Sequence, residues 1–272
     1  MLKDKVVIVT GASKGLGVAM AQECARAGAI VVMAARSEDR LRELQTEIIN
    51  EGGRAHAVRC DVARYDDLQK LVDETIARYG RIDGLINNAG VNFVKPFLET
   101  TEADWDHVMD VDLKGSFFLT QLCARQMVKQ GGGSIVQIAS VHTLASLPGA
   151  APYDAAKHGM VGFSKAVAVE LAPHNVRVNV LSPGLCRTEI WNDIVAAAPS
   201  EAECLAFWNA NIPAERLIEP QEIARACVFL LSDWSSAFTG ANLVADAGMT
   251  SQLISKEPYS SRPIAEEGAK TT

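Results

Sequence analysis

Tyr153 and Lys157 put a phenol and an ammonium four residues apart in the stretch PYDAAKHGM, residues 152 to 160. On a helix, positions i and i+4 share a face one turn apart, so both groups can enter one small volume. A phenol free in water titrates near 10, and a fixed cation beside it favours the charged form. The pair is therefore a candidate proton donor and acceptor. Alone it is also compatible with an amphipathic helix carrying a surface lysine, so its meaning depends on the elements that position it.

Those elements are legible as apolar runs. KVVIVT (5–10), AIVVMAA (29–35), AHAVRC (55–60), IDGLIN (82–87), SIVQIAS (134–140), VRVNVLS (176–182) and ANLVAD (241–246) alternate with longer amphipathic stretches. Short, nearly continuous apolar strands separated by helices predict right-handed β-α-β units and a doubly wound parallel sheet covered on both faces. At 272 residues with 48% hydrophobic content, the chain is expected to form one domain over residues 1–250. A loosely patterned insertion at 188–213 is expected to be a lid, and a polar tail to occupy 251–272.

A net charge of -7 leaves no basic footprint for nucleic acid or an anionic membrane. The amino-terminal MLKDKVVIVT has neither a secretory apolar core nor a cleavage site, and no run is long enough to span a bilayer. A cytoplasmic protein with a small-molecule partner is expected. The 6 cysteines and 5 histidines show no metal-ligand spacing, so no metal is expected and the cysteines read as reduced, packed side chains.

The first strand runs directly into TGASKGLG, residues 10–17, and then into a helical pattern. Gly11, Gly15 and Gly17 suit a tight turn close to a ligand, and the free N–H groups opening a helix favour a pyrophosphate there. The spacing departs from G-x-G-x-x-G, so the strand-loop-helix context carries this reading. The second strand ends in MAARSEDR, with Arg36 in the turn where NAD sites commonly place an acid. Arg36, aided by Lys14, would suit a 2'-phosphate. NADP(H) is thus favoured over NAD(H), which stays possible.

TGASKGLG, the CDV at 60–62, NNAG at 87–90, Ser140, YDAAK at 153–157 and SPG at 182–184 together resemble the short-chain dehydrogenase/reductase family over about residues 5–248. The resemblance implies a Rossmann-type, three-layer α/β/α fold with seven strands, and an enzyme interconverting alcohols and carbonyls. It implies a cofactor groove formed by Gly11, Ser13, Lys14, Gly15, Leu16, Gly17, Arg36, Asp61, Val62, Asn88, Ala89, Gly90, Tyr153, Lys157, Pro183, Gly184 and Thr188. Asp61 would bind the adenine amino group, Thr188 the nicotinamide carboxamide, and Lys157 the ribose hydroxyls. Asp61 also suits a helix N-cap, and Asn87–Gly90 an ordinary turn.

In carbonyl reduction Tyr153 would donate its proton as hydride arrives, with Lys157 supplying the cation and Ser140 stabilising charge on the same oxygen. Two places depart from the family pattern. Asp112 stands where an asparagine in V-N-x-x-G is usual, as a candidate relay to Lys157 whose charge could either stabilise the ammonium or oppose a phenolate, the sequence leaving both open. Ala247 stands where a second glycine is frequent. His142 and Trp191 are candidate substrate contacts, since SVH with ADAGMT is similar to sugar-oxidising members such as glucose 1-dehydrogenases. A sugar or polyol is the leading substrate class. A hydrophobic ketone or β-ketoacyl thioester is the alternative, and a non-catalytic NADP-binding sensor is an alternative of another kind. Family members usually form tetramers or dimers, so a homotetramer is expected.

Overall fold

The computed structural model describes residues 1–253, and the expected tail from 254 onward lies outside the described residues. Each apolar run forms a strand within a residue or two of its expected limits: β1 Val6–Thr10, β2 Ile30–Ala35, β3 Arg54–Arg59, β4 Gly84–Asn87, β5 Gly133–Ile138, β6 Val176–Pro183 and β7 Asn242–Ala245. All pair in parallel, in the order β3-β2-β1-β4-β5-β6-β7. β1 is buried at every position because side chains alternate across the pleat into two separate cores. Val7 and Val9 face one core, Val6 and Ile8 the other.

The helices follow as α1 Gly15–Arg26, α2 Glu38–Asn50, α3 Tyr65–Tyr79, α4 Glu102–Val108, α5 Gly115–Gln130, α6 Ala151–Leu171, α7 Glu189–Ala197, α8 Glu201–Asn211 and α9 Pro220–Leu231. α1, α2 and α9 supply the apolar face that covers one side of the sheet, through residues such as Met20, Leu41 and Leu230. α3, α5 and α6 cover the other side, through Leu68, Leu119 and Ala168. The expected three-layer α/β/α arrangement results.

Between β3 and β4 the chain crosses from one edge of the sheet to the other side of β1. Loops leaving the carboxyl ends of β1 and β4 therefore diverge and open a crevice between them, the usual ligand position in doubly wound sheets. The insertion at 188–213 contains α7 and α8, which enclose a small apolar core of their own around Trp191, Cys204, Ile212 and Leu217. Among the described residues no helix is long and apolar enough to cross a membrane, and no group of three or more His, Cys, Asp or Glu could hold a metal ion. All six cysteines are free and buried.

Candidate active site

Steric demand explains the glycine loop at the end of β1. A Cβ on Gly17 would lie 2.1 Å from the Gly11 carbonyl oxygen, so only glycine lets α1 start this close to the strand. Gly15 has φ +54°, the left-handed region that glycine enters without cost. Lys14, the N-cap of α1, makes no side-chain cap, which leaves the opening N–H groups of the helix without a side-chain acceptor. Thr188 Cβ lies 3.6 Å and the Glu189 carboxylate 3.1 Å from where a Gly15 Cβ would be, so the segment four residues beyond SPG lies against the phosphate loop. An uncapped helix start and a Cβ-free turn fit the pyrophosphate of a dinucleotide.

Neighbouring residues brace the loop. Asn88 donates from Nδ2 to the Thr10 carbonyl at 3.0 Å, and the N–H groups of Asn88 and Ala89 both donate to Thr10 Oγ1 at 3.0 Å. Asn88 thus ties β4 to β1, a role for which Thr10 gave no sequence signal. Asp61 accepts from the Ala63 N–H at 3.1 Å, a local turn at the end of β3, while the N-cap of α3 is Arg64. Val62 packs its backbone against Gly115 at the start of α5. Lys14 and Arg36 are exposed and make no ion pair or hydrogen bond among the described residues. Glu38 is engaged with Arg42 at 2.5 Å, one turn along α2.

Tyr153 and Lys157 sit on one face of α6, with the Lys157 Nζ 5.3 Å from the centre of the Tyr153 ring. The lysine is buried to 4% exposure and donates to the Ile138 carbonyl at 3.2 Å, at the end of β5. Asp112 lies 3.0 Å from the same Nζ and is wholly buried. Its Oδ1 accepts the Val91 N–H at 2.8 Å, while Oδ2 is out of hydrogen-bonding alignment with any donor and acts on the lysine through charge. Burial opposes the Lys157 ammonium, but the charges of Asp112 and Tyr153 and the closeness of Asp112 outweigh it, and the lysine pKa is raised.

Asp112 reaches this position from a π-helical turn, Met109–Lys114, between α4 and α5. A π turn rotates the side chain relative to a regular helix, a device often found at functional sites. Beneath it, Asn87 and Gln137 both donate to the Thr120 hydroxyl, at 3.0 and 2.7 Å, a buried polar network that anchors β4 and β5 to α5.

Ser140 follows β5 and caps a short turn, its Oγ accepting the His142 N–H at 3.2 Å. The His142 ring stands edge-on to Tyr153, with centroids 5.3 Å apart at 86°. His142 therefore lies directly against Tyr153. Trp191 does not present a free face: at 3% exposure it fills the core beneath α7 and α8, and the aromatic ring exposed on this insertion is Phe207 at 61%. Ala247 has φ +55°, which explains why a glycine suits that position.

Residues 11–250 match the family model described as enoyl-(acyl carrier protein) reductase. A cyclopentanol dehydrogenase from Comamonas sp. is 36% identical over 249 residues, covering 92% of this chain and 98% of that one. An NAD-dependent glycerol dehydrogenase from Listeria innocua is likewise 36% identical over 249 residues, covering 92% and 95%. The crystal structure of a short-chain type dehydrogenase/reductase from Mycobacterium marinum superposes with a TM-score of 0.86 at 37% identity, covering 92% of this chain and 97% of that one. The chain belongs to the short-chain dehydrogenase/reductase family, as an NAD(P)-dependent oxidoreductase of alcohols and ketones.

Proposed function

We propose that the protein uses NADP(H) to interconvert a hydroxylated alcohol, of sugar or polyol type, and its carbonyl, with Tyr153, Lys157 and Ser140 as the catalytic residues. The observation that carries the chemistry is the buried Lys157 ammonium held 5.3 Å from the Tyr153 ring. When bound, the nicotinamide supplies hydride to the carbonyl carbon or accepts it from the alcohol. Tyr153 gives its proton to the oxygen that gains negative charge, and takes one in the reverse direction. Because Ser140 Oγ already accepts the His142 N–H, its own hydrogen is available to the same oxygen. Lys157 stabilises the phenolate that the proton transfer leaves, and Asp112 keeps the lysine charged.

The preference for NADP(H) is supported by Lys14 and Arg36, exposed cations without an ion partner among the described residues, and by Glu38 being taken up by Arg42. For the substrate, a carboxylate can only accept, so the 2.6 Å contact to Asp154 puts the proton of a neutral His142 on Nδ1 and leaves Nε2 to accept from a hydroxyl. The glycerol dehydrogenase relative acts on a polyol, though its name specifies NAD. An apolar ketone is the second reading, favoured by the exposed Leu144 and Leu147 after Ser140 and by the cyclopentanol dehydrogenase relative. We read α7 and α8 as the lid over either substrate. Phe117 and Val169, exposed on α5 and α6, support assembly into a homotetramer through those helices, which sedimentation tests.

A panel of aldoses, polyols, cyclic ketones and β-ketoacyl thioesters, assayed with NADPH and NADH or their oxidised forms, tests the reading. Turnover of polyols or aldoses with a higher kcat/KM for the phosphorylated cofactor supports it. Exclusive turnover of ketones or thioesters selects the second reading, and cofactor binding without hydride transfer marks a sensor.

A further inference from the structure

His142 is fixed at three points. Its N–H donates to Ser140 Oγ at 3.2 Å, its Nδ1 donates to Asp154 Oδ1 at 2.6 Å, and its ring meets Tyr153 edge to face. The second oxygen of Asp154 accepts the Ser146 hydroxyl. The imidazole and carboxylate are 18% and 15% exposed, so these charge-assisted bonds are partly shielded from water. Asp154 adjoins Tyr153 on α6, whereas Ser140, His142 and Ser146 lie in or next to the 141–149 loop. The carboxylate therefore joins the helix of the proton donor to the loop that carries the serine. Proton transfer at Tyr153 makes no direct use of an acid at position 154.

We propose that Asp154 is a positioning residue: by holding His142 and Ser146 it locks the 141–149 loop to α6 and fixes Ser140 relative to Tyr153. This rests on the alcohol–carbonyl reading of the site. Small displacements between reacting groups are costly, with roughly 1 Å able to cost about a hundredfold in rate. A freed loop should therefore lower kcat while leaving the cofactor groove intact.

The test compares Asp154→Ala, Asp154→Asn, His142→Ala and the His142→Ala/Asp154→Ala double variant, reading kcat and KM on the best panel substrate and the Kd for NADPH by fluorescence. Asp154→Ala should lose roughly tenfold or more in kcat with an unchanged Kd. Asp154→Asn should recover most of that loss, because its amide oxygen still accepts from Nδ1–H. The double variant should lose less than the product of the two single losses, since residues in direct contact are not additive, the remainder reflecting the separate Asp154–Ser146 bond. Fully additive losses, an Asn variant as slow as Ala, a wild-type kcat in Asp154→Ala, or a Kd that weakens in step with kcat would each overturn the proposal. Failure of the underlying reading is distinguishable, because Tyr153→Phe would then keep its turnover whatever residue stands at 154.

Discussion

Replacing Asp112 by asparagine should move the pH dependence of alcohol oxidation toward acid. The Lys157 Nζ is 5.3 Å from the Tyr153 ring centre, and Asp112 Oδ2 is 3.0 Å from that Nζ. At an effective dielectric of about 20, a unit cation at the first distance favours a phenolate by about 3 kcal/mol. The opposing carboxylate, no further than about 8 Å from the ring centre, cancels about 2 kcal/mol of this. Removing that charge while keeping a polar side chain should therefore move the rising limb of kcat toward acid. A second effect follows at the alkaline end. Asp112 is the principal group raising the Lys157 pKa against burial, so without it the lysine should lose its proton at lower pH and kcat should fall again. The assay is kcat against pH for wild type and Asp112→Asn, in both directions of reaction. A midpoint that stays in place or moves upward would refute the electrostatic reasoning. Asp112→Ala is less informative, since it also removes the oxygen that accepts the Val91 N–H and so leaves a further, part-buried donor unpaired.

Arg36→Ala should raise KM for NADPH by roughly ten- to a hundredfold, the loss of a charged hydrogen bond of about 1.5–3 kcal/mol, while KM for NADH barely changes; equal effects on both would remove Arg36 from 2'-phosphate recognition. Ala247→Gly should relieve the left-handed alanine at φ +55°. After the entropy that glycine adds to the unfolded chain, the net gain should be about 0.5–1 kcal/mol, a rise of a few degrees in Tm by calorimetry. Burial foremost, with nearby carboxylates adding, pushes the thiols of Cys24, Cys60 and Cys186 up to about 12. These three should resist a thiol-reactive dye at pH 8 in the native protein and react once it is unfolded, as mass mapping of the labelled peptides would show.

The sheet was readable in the sequence because a parallel sheet buried on both faces needs unbroken apolar strands, and Val6–Thr10 and Ile30–Ala35 are such runs. The Tyr153–Lys157 face was readable because helical spacing is local. The π turn at Met109–Lys114 was not, since its residues suit an ordinary helix equally well, and the ammonium that Asp112 meets lies on a different helix. The contacts of Asp154 with His142 and Ser146 escaped for the same reason, being made only once loop and helix are packed. Trp191 stood out as a substrate contact because a large aromatic in a weakly patterned insertion can line a lid or fill its core. Packing against Cys204, Ile212 and Leu217 puts it in the core. Ala247 was visible as a departure from glycine, while the positive φ that gives the departure its cost belongs to the folded backbone.

The most direct test of the catalytic reading is Tyr153→Phe, which removes one oxygen and preserves the ring that His142 packs against. Hydride transfer, followed through the absorbance of the reduced nicotinamide, should fall at least about a thousandfold, within the range that general acid–base catalysis contributes, while NADPH binds with unchanged Kd. A variant that binds NADPH normally and keeps more than a few per cent of wild-type kcat would contradict Tyr153 as the proton donor.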